Sequence, residues 1–293
     1  MSELRHDEGF FSAKDGLRLF WRSDVPADPA AIRAHVLFVH GYADHAGRHK
    51  NAIGHLVANG FAVHAFDYRG HGQSDGRRGH VERFDDFQSD LQTYLELRVR
   101  SAAGTLPLFV VAHSHGALIA ARWAFTRPEG IAGFVFSAPL FGLAFKPPAP
   151  KLLAARLIGK LVPWFPFSNE LKPEQLSRDP DAQKATLRDP LYVHHTTPGW
   201  FFQAMAAWQE VLRRASEFQY PLLQLHSPVD PINDFGASRE FFERASSADK
   251  TFKTCEGMMH EVFNDTGREQ VLAWVSDWLR ERTPARAESA TSP

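Results

Sequence analysis

Six short runs rich in Val, Phe and Ile, at residues 36–39, 61–66, 108–111, 131–136, 221–225 and 251–255, recur along the chain. Their apolar residues are mostly continuous rather than alternating, the pattern of a strand covered on both faces. Between the runs the period changes. Phe84, Phe87, Leu91, Tyr94 and Leu95 share one face of a helix, as do Val271, Leu272, Trp274, Val275, Trp278 and Leu279. Strand and helix alternating in this way predict βαβ units and a mostly parallel sheet flanked by helices, an α/β fold. Two earlier segments, around Phe10 and at 17–21, read as an antiparallel hairpin on the sheet edge.

The rhythm breaks between residues 141 and 219. That stretch is Pro-rich at 146–150, then helical, and too long for a plain loop. The expected organisation is a core of residues 1–140 and 220–282, with a helical cap, 141–219, inserted between two late strands. Residues 283–293 are small and polar, an expected disordered tail.

The 108–111 run leads through Ala112-His113-Ser114-His115-Gly116 into a helical stretch. A strand turning sharply into a helix with serine at its apex is a nucleophile elbow, and the residues two before and two after the serine must be small. Ala112 and Gly116 meet that need, and Ser114 is the expected nucleophile. The alternative is an ordinary helix N-cap serine.

Serine needs a base to take its proton, and the base needs a third group to hold its tautomer. In this arrangement the partners follow as acid, then histidine. Asp230 follows the 221–225 run and His260 follows the 251–255 run, so both sit on loops at the same sheet edge as the elbow. Asp234 is a rival to Asp230 for the acid, and could instead make a turn. His113 and His115, flanking Ser114, cannot reach round to its hydroxyl and are read as packing or pocket-wall residues. A developing oxyanion needs backbone donors already aimed at it. The N–H of His115 is one, and Gly41 in His40-Gly41-Tyr42-Ala43 lets the chain turn so that Tyr42 N–H supplies the other.

The 33 basic and 34 acidic side chains nearly cancel, which argues against nucleic acid as a partner. No window approaches the roughly 20 apolar residues of a membrane span. Cys255 is the only cysteine, so neither an internal disulfide nor a cysteine zinc cluster is expected, and a reducing, cytoplasmic setting fits.

The stretches 40–48 (HGYADHAGR) and 66–76 (FDYRGHGQSDG), the elbow, Ser137-Ala138-Pro139-Leu140, and within the insertion Leu176-Ser177-Arg178-Asp179 and Asp189-Pro190-Leu191, make the chain resemble the monoacylglycerol lipase and lysophospholipase group of α/β-hydrolases over about residues 8–281. The resemblance implies the α/β-hydrolase fold. It also implies a triad of Ser114, Asp230 and His260 with Tyr42 and His115 as oxyanion donors, acting on a small-molecule acyl ester. The chain departs from that group at Ala112 and Ala117, where glycines are usual, and at His115, where Met is frequent.

The insertion carries two markedly apolar stretches, Leu152 to Phe167 with Lys151, Arg156 and Lys160 beside it, and Trp200 to Leu212. Such a cap suits an acyl chain, with Leu157, Trp164, Phe202 and Met205 as expected substrate contacts. Its basic residues suit transient contact with a lipid surface, so the protein is expected at times on the membrane periphery. The bland alternative is that these residues pack the cap onto the core. No metal and no organic cofactor is called for. The same triad would also serve an aminopeptidase or acyltransferase, the former needing acidic residues such as Glu170, Glu174, Asp179 and Asp181 to converge on an amine. A non-catalytic binding protein of this fold would be expected to have lost a triad residue.

Overall fold

The structure is a computed structural model and describes residues 4–284. Apart from Thr283 and Pro284, the expected disordered tail lies outside the described residues. An eight-stranded sheet is built from β1 (Leu4–Ser12), β2 (Arg18–Pro26), β3 (Ala34–Val39), β4 (Phe61–Phe66), β5 (Leu108–His113), β6 (Ile131–Ser137), β9 (Leu222–His226) and β10 (Lys250–Thr254), in the order β1-β2-β4-β3-β5-β6-β9-β10. β1 and β2 form the expected antiparallel hairpin, and β2 runs antiparallel to β4. Every other pairing is parallel. The two-residue β7 (Phe167–Ser168) and β8 (His195–Thr196) pair inside the insertion, where the sequence shows no strand signal.

The helices are α1 (Lys50–Ala58), α2 (Phe84–Tyr94), α3 (Arg100–Ala103), α4 (His115–Ala124), α5 (Ala149–Leu161), α6 (Pro173–Leu176), α7 (Pro180–Arg188), α8 (Pro198–Arg213), α9 (Phe235–Arg244) and α10 (Arg268–Glu281). Alternate residues of each central strand feed two separate cores. Leu108, Val110 and Ala112 of β5 join α2, α4 and α8 on one face. Phe109 and Val111 join α1 and α10 on the other. This double coverage is why the runs are apolar without a break. Truncating a side chain such as Phe38, which is fully buried, to alanine would cost about 3–5 kcal/mol. The edge strand β10 is only half-buried along its length, with Phe252 and Lys253 among its residues.

α8 has a second duty. β6 and β9 are parallel neighbours, so the chain must cross back along the sheet between them, which a tight turn cannot do. α8 makes that crossing, burying Trp200, Ala204, Ala207 and Val211 in the same core as α4. The expected cap, 141–219, thus contains a helix that packs as part of the core.

Candidate active site

The parallel register aligns the strand ends. Val39 stands beside Ala112, His113 beside Ser137, and His226 beside Thr254. The chain steps from β3 to β4 on one side and to β5 on the other, so the loops after β3 and β5 flank a switch point, where open α/β sheets bind ligands. Between β5 and α4, Ser114 adopts φ 54° and ψ −119°, a conformation that side chains rarely take. Gly116 permits the turn: a Cβ there would lie 2.4 Å from the Val39 carbonyl and 2.3 Å from that of His40. Ser114 holds the N-cap position of α4 but makes no cap bond. Its Oγ lies instead 2.9 Å from Nε2 of His260, which rules out the ordinary N-cap serine.

Nδ1 of His260 lies 2.8 Å from Oδ2 of Asp230. The same oxygen lies 3.1 Å from Nε2 of His226, while Oδ1 accepts the N–H groups of Ile232 and Asn233 at 2.8 and 3.1 Å. Burial opposes the charge on Asp230, but His260 and His226 outweigh it and hold the carboxyl far below the usual carboxylate range. Burial likewise opposes a charged His260. The carboxylate's charge and hydrogen bond outweigh it, and the imidazole sits above its ordinary value. Asp234, the rival for the acid, instead accepts the Ala237 N–H as N-cap of α9.

The N–H groups of Tyr42 and His115 have no hydrogen-bond partner among the described residues, and His115 opens α4, where the helix dipole is positive. Gly41 approaches closely: a Cβ on it would stand 3.2 Å from the Ser114 Cβ and from the His113 ring. His113 is buried, lines the cavity and packs 4.9 Å from the His260 ring. His115 is buried off the cavity wall. Asn233 was not singled out by the sequence. It donates to the Ala138 carbonyl at 2.7 Å and reaches the Ser114 hydroxyl at 3.4 Å. Three residues past the acid, nothing local distinguishes it from a turn asparagine. No group of His, Cys, Asp or Glu among the described residues is arranged to hold a metal ion.

Above Ser114 opens a cavity of about 390 Å³, walled by Leu140, Leu143, Leu152, Ala155, Trp200, Phe201 and Trp208 and carrying Asp44, Asn169 and Glu261 among its polar residues. The expected contacts Leu157, Trp164, Phe202 and Met205 do not line it. At about 100° per residue, the lining face of α5 carries Lys151, Leu152 and Ala155, in line with Pro148 at its N-cap, and Leu157 falls on the opposite face. Along α8 the lining residues are Pro198, Trp200, Phe201 and Trp208; Phe202 falls beyond their arc, and Met205, within the arc, is not among the lining residues. Trp164 packs against Arg77, 4.8 Å away. Both helices are apolar on more than one face, so spacing alone does not say which face meets the cavity.

The profile of the family described as "Serine aminopeptidase, S33" matches residues 30–267. The chain is 33% identical to the monoacylglycerol lipase of Mycolicibacterium smegmatis, covering 95% of this chain and 99% of that protein. It is 30% identical to the human monoglyceride lipase, covering 95% and 92%. Among solved structures, the monoacylglycerol lipase of Paleococcus ferrophilus superposes with a TM-score of 0.78 at 29% identity, over 96% of this chain and all of the other.

Proposed function

The chain belongs to the family described as serine aminopeptidase, S33, with the α/β-hydrolase fold, and is a serine ester hydrolase; from that premise we propose that it cleaves monoacylglycerols, through an acyl-enzyme on Ser114. The observation that carries the proposal is the hydrogen-bonded line Ser114–His260–Asp230, whose serine and histidine line a cavity with apolar walls.

In this reading His260 Nε2 takes the Ser114 proton as Oγ attacks the ester carbonyl, while Asp230 holds the Nδ1–H tautomer and stabilises the imidazolium. The carbonyl oxygen becomes an anion facing the Tyr42 and His115 N–H groups. As the tetrahedral adduct collapses, His260 gives its proton to the leaving glyceryl oxygen. Water, deprotonated by the same imidazole, then attacks the acyl-enzyme and releases the fatty acid. Asn233, donating to Oγ, helps to hold the hydroxyl in line.

An aminopeptidase would need carboxylates free to bind an amine. Of Glu170, Glu174, Asp179 and Asp181 only Glu170 lines the cavity, and it pairs with Lys151 at 2.9 Å. Asp44 and Glu261, also on the wall, are already held by Arg48 and, for Asp44, by His49. These engaged acids favour a neutral polar head group.

We also propose transient docking on lipid surfaces. The face of α5 turned away from the cavity exposes Leu153, Leu157 and Leu161, by 59%, 57% and 82%, and Trp164 and Phe165 follow it. Among the described residues no helix is long and apolar enough to cross a membrane. The proposed setting is the cytoplasm, in keeping with the buried free thiol of Cys255. Hydrolysis of glyceryl and p-nitrophenyl esters from acetyl to palmitoyl, by wild type and Ser114→Ala, tests the function. Activity that needs Ser114 and favours long-chain monoacylglycerols is expected. Turnover of acetyl or butyryl esters alone would overturn the lipid substrate.

A further inference from the structure

Beneath the two N–H groups aimed at the oxyanion lies a buried chain of hydrogen bonds that the reaction itself does not use. Its directions are fixed by chemistry. The Trp200 indole N–H only donates, and it lies 3.2 Å from Nε2 of His115, so that nitrogen is the acceptor. Burial holds His115 neutral, its value pushed down to about 3, so Nδ1 carries the proton and donates to the Tyr68 hydroxyl at 3.2 Å. The Tyr68 hydroxyl then donates to the Gly41 carbonyl at 2.5 Å. A second donor, Nδ1 of His40, meets the same carbonyl at 2.8 Å, its Nε2 accepting the Tyr68 N–H at 3.3 Å.

The Gly41 carbonyl belongs to the peptide unit whose N–H is that of Tyr42. Two donors on that oxygen fix the plane of the peptide and polarise it, making its N–H a stronger donor on the far side. His115, the middle of the chain, carries the other oxyanion N–H. Trp200 touches both residues, since its ring also stacks on Tyr42 with centroids 3.6 Å apart. It comes from α8, within the insertion.

We propose that Tyr68 and His115 are positioning residues that set the oxyanion donors, and that Trp200 ties this setting to the insertion. The inference rests on the reading of Tyr42 and His115 as those donors. It gives the His115 side chain a part in the reaction rather than packing alone.

The test compares two probes on Tyr68→Phe, His115→Met and wild type. One is a decyl trifluoromethyl ketone: Ser114 Oγ adds to its carbonyl, the proton passes to His260, and the carbonyl oxygen becomes an anion in the hole. The other is 1-O-decylglycerol, an ether that binds the cavity without forming an anion. Tyr68→Phe should weaken the ketone about tenfold and lower kcat by the same factor, leaving KM and ether binding within about twofold. His115→Met should lose about threefold in the same pattern. Unchanged ketone affinity, or parallel losses for ketone and ether, overturns the inference. Should Tyr68→Phe fail to fold, His115→Met decides by the same two ratios. Retained esterase activity in Ser114→Ala would instead overturn the functional reading, and the inference with it.

Discussion

Asp230 Oδ2 is shared by two imidazoles, His260 at 2.8 Å and His226 at 3.1 Å. His226 therefore disperses part of the charge that raises the basicity of His260. Replacing it with leucine should leave the carboxylate pulling harder on His260. The acid limb of kcat/KM should move up by a few tenths of a pH unit, with kcat within about threefold of wild type. A limb that stays put would show that the second imidazole has no hold on the first.

A histidine base works only when neutral, and His260 holds that place in the proposed reaction. Because the Asp230 carboxylate raises His260 above its ordinary 6.5, activity should fall as pH drops through a midpoint above 6.5. Asp230→Asn removes both the charge and the tautomer lock. A loss of about 10⁴ in kcat is expected, with the residual acid limb shifted downward. Stopped-flow acylation across pH 5–9 reads both.

Acid should unfold the protein early. Burial pushes His35 down to about 4 and His64, His71 and His115 down to about 3. Each folded value lies below the unfolded 6.5, so the unfolded chain binds these protons first. The stability is whole above about 6.5 and is lost as pH falls towards the folded values. Four such groups cost about 5 kcal/mol for each pH unit below 6.5, against a typical total of about 5–15 kcal/mol. The urea midpoint should fall steeply between pH 6.5 and 5, and a flat midpoint would contradict it.

Replacing Leu153, Leu157 and Leu161 together with serine should weaken binding to phosphatidylcholine vesicles about hundredfold, each leucine giving roughly 1 kcal/mol at an interface. Hydrolysis of soluble butyryl esters should stay within about twofold, because these side chains point away from the cavity. Equal binding to vesicles would remove the lipid-docking proposal.

Ser114 holds a backbone conformation that glycine takes at little cost. Ser114→Gly should therefore abolish activity and yet raise stability by about 1 kcal/mol, measurable by thermal unfolding. A destabilised glycine variant would mean that the elbow is not strained.

Much of this arrangement is legible in the sequence because its cause is local. The elbow announces itself through small residues packed between a buried strand and a helix, and Asp230 and His260 follow by order along the sheet edge. What stays hidden joins distant positions. Trp200 meets His115 from 85 residues away, and His115 meets Tyr68 across 47. Among fifteen histidines nothing in the local pattern marks His226 or His40. The walls of the cavity are not legible at Leu157 and Phe202 because a helix apolar on two faces has no single face for its period to reveal.

The crossover carried by α8 divides the insertion mechanically. Its buried face is welded into the main core, whereas α5, with no buried residue, leans on it through Arg156 over the Phe202 ring and through Gly159, where a Cβ would come within 2.9 Å of Pro198. Half of the roof above Ser114 is thus bedrock and half is a plank laid across it. On its way to Ser114 a substrate passes α8 as the fixed jamb and α5 as the side held by fewer buried contacts.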